Sequence, residues 1–199
     1  MKTPSDVTCR GIAPSESPSG AKPRYTVPTI HHVPTNAYIM DSAVIAQFLE
    51  STYPEPSVPL VSELGRKIEG ETRAVVGPLY LSVITPREIC ILSPRSEEYF
   101  RRTREASLGH RLEELLNPNE EESWNAADGS MRSVGELMQT NKADGPFVLG
   151  AAPSYSDFLI SGSLQCARVV DEEVFQKIVK YAGFRDIYEA CAPYMQRQD

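Results

Sequence analysis

The chain is poor in the residues that announce metal, disulfide or redox chemistry. Cys9, Cys90, Cys166 and Cys191 are its four cysteines in 199 residues. They stand too far apart for a CxxC pair or a zinc-type cluster, so no disulfide framework is expected and they read as buried or incidental thiols. Only Cys9 lies in a polar segment near a candidate ligand site, where a neighbour that lowered its pKa would make it reactive. Of the three histidines, His31 and His32 are adjacent in a strand-like run. They face opposite sides of it and cannot chelate one ion together, so no metal is expected. Positive charge is also short: the net charge is −7 and the isoelectric point about 5.1, which argues against a nucleic-acid surface. Arg95, Arg101, Arg102, Arg104 and Arg111 do cluster, but Glu97, Glu98 and Glu105 interleave with them, as on a solvated helix. No apolar run approaches the length needed to span a bilayer, and Met-Lys-Thr-Pro-Ser-Asp lacks the apolar core of a signal peptide. The expectation is a cytosolic protein with no membrane partner.

What is present begins at Tyr25-Thr26-Val27-Pro28-Thr29-Ile30. A proline cannot donate to a β ladder, so Thr26 to Ile30 is an edge strand or a strand stopped at Pro28, and the free backbone of Val27 can pair with a ligand. Pro34-Thr35-Asn36 forms a turn, Ala37 to Met40 a second strand, and the apolar spacing Val44, Ile45, Phe48, Leu49 a helix from Ser42 to about Thr52. Asp41 and Ser42 stand at the head of that helix, where side chains and free N–H groups bind a carboxylate and an ammonium. A ligand with a peptide middle and a zwitterionic end fits both halves.

Residues 11–24 are a Pro/Ser/Gly loop, and Tyr53-Pro54-Glu55-Pro56-Ser57-Val58-Pro59 is a proline-rich connector. Everything beyond it reads as helical. Leu64, Ile68, Val75, Val76, Leu79 and Val83 give Leu60–Leu92 an i, i+3, i+4 pattern with kinks at Pro78 and Pro86. Ser93 or Ser96 opens a helix to about Leu116, and the acidic segment Asn117 to Trp124 reads as a turn into another helix near Met131 to Thr140. Ser154 and Asp157 have capping-box spacing before an apolar helix, a stability element whose loss would cost about 1 kcal/mol. Helices over roughly Glu172–Ala182 and Phe184–Ala192 follow, with Gly183 as the stop between them.

Val27-Pro28, Asp41-Ser42 and Ser154-Tyr155-Ser156-Asp157 occur in the order found in the glutathione transferase family, which the chain resembles from about Tyr25 to its C-terminus. Asp41-Ser42-Ala43-Val44-Ile45-Ala46-Gln47-Phe48-Leu49-Glu50 is similar to the fungal etherase-like and secondary-metabolite group. The resemblance implies an α/β remnant of a thioredoxin-like glutathione-binding domain over residues 1–53, a linker over 54–59 and an all-α C-terminal domain over 60–199. It implies a cis bond before Pro28 and glutathione as cosubstrate or cofactor. Val27 would hold the peptide and Asp41 and Ser42 the γ-glutamyl end, with Lys22 and Arg24 able to meet the glycyl carboxylate.

One departure stands out. A β-α-β unit needs on the order of 30 residues, yet 24 precede Tyr25, so there is no position for the family's catalytic Tyr, Ser or Cys. A natural short form and a miscalled first exon both fit that. Candidates to stabilise the thiolate are the Val27 backbone, Tyr80, Arg87, Tyr99 or a partner subunit. The expected activity is addition of the glutathione thiolate to an apolar electrophile lying beside the Leu64–Leu92 helix. The alternatives are glutathione-dependent cis-trans isomerisation of a conjugated olefin and a non-catalytic binding module. A homodimer is expected to cover the open sheet edge, to be seen in sedimentation as a species of twice 22.1 kDa.

Overall fold

The computed structural model describes residues 25, 27–116 and 118–196. It divides into two compact units, Met1–Leu60 and Val61–Asp199, taken here in turn.

The first unit is a hairpin followed by a helix. Strands β1 (Thr29–His32) and β2 (Ala37–Met40) run antiparallel with Thr29 opposite Met40 and His32 opposite Ala37. The connecting turn, Val33–Thr35, is closed by Asn36 in the left-handed region (φ 53°), one of the few non-glycine residues suited to it. β1 thus starts after Pro28, later than the sequence pattern suggested, because the ladder cannot use the proline nitrogen. Thr26 lies outside the described residues. Helix α1 (Ser42–Thr52) returns over the hairpin. His32 fastens the two: its ring nitrogens bond Thr35 Oγ1 at 2.7 Å and Tyr53 Oη at 2.8 Å. His31 stacks on Tyr38 instead, so the histidine pair does point two ways. Beyond α1, both Glu50 carboxylate oxygens hold the connector, accepting from Ser57 Oγ (2.6 Å) and Val58 N (3.0 Å). Those bonds keep the exposed Glu50 carboxyl below its usual range.

The second unit is helical. Helix α2 (Glu63–Leu79) is capped by Ser62, passes through a π-helical turn (Tyr80–Ile84) and ends in a 3-10 stretch (Thr85–Ile91). Pro78 and Pro86 mark these changes, since each removes a backbone donor. The whole of Glu63–Ile91 spans 29 residues, with an 18-residue window of mean hydropathy 1.3. By length and composition that is enough to cross a membrane, which corrects the expectation that no run approached it. Ile68, Leu79, Val83 and Ile84 of this stretch belong to the helical core.

Helix α3 (Pro94–Leu108) is capped by Ser93 and stopped by Gly109 at φ 81°. That is earlier than the predicted end near Leu116, and the remainder is a 3-10 turn, Leu112–Leu115. Arg101 pairs with Glu97, Glu105 and Glu113, while Arg102 and Arg104 lie over the Tyr99 and Phe100 rings. Helix α4 (Glu120–Met138) starts eleven residues before the predicted Met131. Glu120, Glu121 and Glu122 in its first turn favour the positive end of the helix dipole, and Trp124 is buried there. An acidic run that read as a turn is a helix start.

Helix α5 (Tyr155–Val170) is the centre of the unit, packing on α2, α6 (Glu172–Val179) and α7 (Ala182–Met195). Its capping box forms as the spacing predicted. Asp157 is fully buried and does more than cap: it accepts from Ser154 N (2.8 Å), Ser154 Oγ (2.6 Å) and, through its other oxygen, Val148 N (2.8 Å). Gly183 is the correction at the C-terminal end. It lies inside α7, where a Cβ would collide with the Gly135 backbone of α4. The glycine is needed for a close helix crossing, and the chain break falls earlier, at Lys180 and Tyr181.

Replacing Asp157 by Ala strands three buried donors, and a buried donor left unpaired costs about 1–3 kcal/mol. The expected loss is about 3 kcal/mol or more, above the 1 kcal/mol of a lost surface cap, read as a melting temperature lower by roughly 6–12 °C. Thermal melts followed by circular dichroism check this.

Candidate functional site

In the first unit the Val27–Pro28 peptide bond is cis. Val27 is 86% exposed, and among the described residues nothing pairs with its backbone. The ladder ends at the Thr29–Met40 pair, so Val27-Pro28, which precedes Thr29, and Asp41-Ser42, which follows Met40, leave the same end of the hairpin.

Asp41 is the N-cap of α1. Its Oδ1 accepts from Ala43 N (3.0 Å) and Val44 N (3.5 Å) while its carbonyl accepts from Ile45 N (2.8 Å). Its backbone sits at φ 79°, ψ 127°, a region costing a side-chain-bearing residue about 1–3 kcal/mol. Such strain, held at an exposed helix N-terminus, is the pattern of a site rather than of a scaffold. Ser42 follows at the first helical position, exposed, and among the described residues its hydroxyl has no partner. The arrangement offers an extended backbone edge, a carboxylate whose Oδ2 is not used in the cap, and the Ser42 hydroxyl and N–H, while the next three helix N–H groups are taken by Asp41. It suits a peptide carrying both an ammonium and a carboxylate. Lys22 and Arg24, the sequence candidates for the far carboxylate, lie outside the described residues, as does Cys9.

Three further candidates lie in the helical unit. Arg87 is committed: its guanidinium pairs with Glu120 (2.8 Å) and Asp171 (3.0 Å) and donates to the Val83 carbonyl. It fastens the 3-10 stretch to α4 and the start of α6. Glu120, which also accepts from Trp124 Nε1 and Lys177, is held below its usual carboxyl range by these donors, against the opposing effect of burial. Tyr99 is exposed with Arg102 over its ring. Tyr80 is half-buried, and burial, then the neighbouring Cys166, push its phenol far above the ordinary range.

Tyr80 also lines a cavity of about 240 Å³ between α2 and α5. Val76, Leu159, Leu164 and Phe184 supply apolar wall, while Thr72, Glu69 and Arg73 bring polar groups. The sequence reading missed Thr72 and Arg73. The signal was there in Ile68-x₃-Thr72-x₃-Val76, one polar position in an otherwise apolar i, i+4 row.

Comparison with known proteins bears on both units. Residues 66–194 match the family model described as "Glutathione S-transferase, C-terminal domain". The chain belongs to the glutathione S-transferase family. Among relatives, the glutathione S-transferase-like protein ustS of Aspergillus flavus is 29% identical, with 88% of this chain aligned to 69% of ustS. Of solved structures, glutathione transferase GSTFuA3 from Phanerochaete chrysosporium superposes with a TM-score of 0.79 at 26% identity, over 98% of this chain and 80% of that one. A glutathione S-transferase of Ceriporiopsis subvermispora, crystallised with glutathione, gives 0.74 at 28% identity over 98% and 81%. The sequence expectation that Ser42 holds the γ-glutamyl end predicts that Ser42→Ala weakens glutathione binding by roughly 1–3 kcal/mol, the worth of a hydrogen bond to a charged group, with the melting temperature unmoved. Titration calorimetry beside a thermal melt checks both halves.

Proposed function

We propose that the chain is a glutathione-dependent transferase that adds the glutathione thiolate to an apolar electrophile, in the fungal secondary-metabolite and etherase-like branch of the family. The observation that carries it is strained Asp41 at the α1 N-terminus, at the same end of the hairpin as exposed Val27. Likeness to ustS and to a transferase crystallised with glutathione supports the branch and the cosubstrate. In this reading Val27 pairs with the cysteinyl backbone, Asp41 Oδ2 takes the γ-glutamyl ammonium, and Ser42, through its hydroxyl and N–H, takes its carboxylate. A free thiol with pKa near 8.5 is only a few per cent ionised at pH 7, so turnover is modest unless a donor stabilises the sulfur. Within the helical unit, burial keeps Tyr80 protonated and Arg87 is already paired with Glu120 and Asp171.

A second reading follows from the same attack. The thiolate bonds to the β-carbon of an enone and the π electrons move to oxygen as an enolate. Protonation at carbon gives a conjugate, whereas rotation about the former double bond and expulsion of the thiolate give the geometric isomer with glutathione regained. Tyr80, its phenol pushed up, is a weak acid, and Glu69 is held as an acceptor by Ser156 Oγ at 2.7 Å. With few acids to trap the enolate, reversal is favoured.

With a conjugated enone and limiting glutathione, the isomer should form at least as fast as thiol is consumed. Chromatography of both species checks this. Stoichiometric thiol loss with stable conjugate and no isomer removes the second reading, and loss of neither removes both.

A further inference from the structure

Leu92 and Ser93 separate the 3-10 stretch (Thr85–Ile91) from α3, and both are extended: Leu92 at φ −88°, ψ 148° and Ser93 at φ −64°, ψ 155°. The sequence there is Ser93-Pro94-Arg95, all three residues exposed. Proline favours this conformation, because its ring clashes with a helical residue before it. The Ser93 hydroxyl bonds Ser96, accepting from its amide at 3.4 Å and donating to its Oγ at 3.1 Å, both beyond the usual range. No residue of α3 is buried, so its first turn rests on little packing and opens at low cost. Thr85-Pro86 is the other Ser/Thr-Pro pair among the described residues, and its surroundings are the opposite. Thr85 is helical (φ −54°, ψ −45°), and it and Pro86 are buried.

We propose that Ser93 is a phosphorylation site for a proline-directed serine/threonine protein kinase. Such an enzyme takes its peptide extended and requires proline after the acceptor, a residue with no N–H to satisfy. Leu92-Ser93-Pro94 already has that shape, whereas Thr85-Pro86 would have to leave the core and unwind. In the transfer, Ser93 Oγ bonds to the γ-phosphorus of ATP, the bond from that phosphorus to its bridging oxygen breaks, ADP leaves, and the hydroxyl proton passes to the kinase's catalytic aspartate. The product carries a charge of about −1.5 to −2 and three acceptor oxygens, placed against the Ser96 amide. Glu97 and Glu98 in the same turn oppose it as like charges, but Glu97 is engaged by Arg101 at 3.6 Å. The amide contact and the positive end of the helix dipole act at closer range. Modification therefore holds the first turn of α3 more tightly, and none of this depends on the transferase reading.

The test incubates the full, folded chain with ATP, magnesium and a purified mitogen-activated protein kinase, locates phosphate by peptide mass spectrometry and follows α3 by hydrogen exchange. Phosphate is expected on Ser93 and not on Thr85. Pro94→Ala leaves the Ser93 cap in place and puts a good helix former at the first helical position, so it should lower phosphate at Ser93 by about tenfold or more with the thermal melt unmoved. Ser93→Asn, which also caps a helix, should remove the phosphate with the melt again unmoved. Amides in the first turn of α3 should exchange severalfold more slowly in the modified chain. Thr3-Pro4 and Ser17-Pro18 lie outside the described residues, and the peptide map separates them from Ser93. No phosphate on Ser93 while the kinase modifies a standard substrate, equal modification in Pro94→Ala, Thr85 modified as readily as Ser93, or exchange no slower after modification would each overturn the proposal.

Discussion

The helical unit depends on one carboxylate. Asp157 closes the first turn of α5 through Ser154 and, with its other oxygen, holds the Val148 amide of the preceding loop. That loop is pinched by the Phe147–Gly150 bridge, and Val148 has no exposed surface. A charge taken out of water is tolerated only where several donors meet it, and here they come from both the helix and the loop. The carboxylate therefore fixes where α5 starts and which face it turns inward. α2, α6 and α7 all pack on that helix, and Leu159, Ile160, Ser163 and Leu164 form one wall of the cavity. Stability and cavity shape share a single source.

The hairpin unit follows the opposite logic. Its polar groups are largely exposed, and the strained backbone of Asp41 carries the carboxylate that the sequence singled out. Asp41 is held at positive φ by its own cap and by the start of α1, and the surrounding bonds are short-range: His32 to Tyr53, and Glu50 to Ser57 and Val58. Two strands and one helix make a small core, with Met40 and Ile45 its buried side chains. Strain at Asp41 is compensated by these fastenings rather than by burial.

Much of this was legible because it is local. The turn Pro34-Thr35-Asn36, the β-rich run Ala37–Met40 and the apolar spacing after Ser42 are each read from neighbouring residues, and β2 and α1 occupy the residues that those patterns indicated. The capping box was equally readable. What failed was tertiary. Gly183 reads as a helix stop to any local rule, but contact with Gly135, 48 positions earlier in the chain, keeps it helical. The Glu120–Glu122 run looked like a turn until Arg87, Trp124 and Lys177 were seen to gather on Glu120. Asp157 was found but undervalued, since nothing in Ser154-x-x-Asp157 announces the bond to Val148. Thr72 was passed over because one threonine in an apolar row looks incidental until the wall around it is drawn.

The central claim is that Asp41 and Ser42 recognise the γ-glutamyl end of glutathione. The most direct measurement is calorimetric titration of the chain with glutathione and, separately, with the dipeptide Cys-Gly, which keeps the thiol and glycyl carboxylate but lacks that end. Loss of the charged contacts predicts at least a tenfold weaker affinity for the dipeptide, about 1.4 kcal/mol. Equal affinity for the two peptides, or no saturable binding of glutathione, would contradict the account.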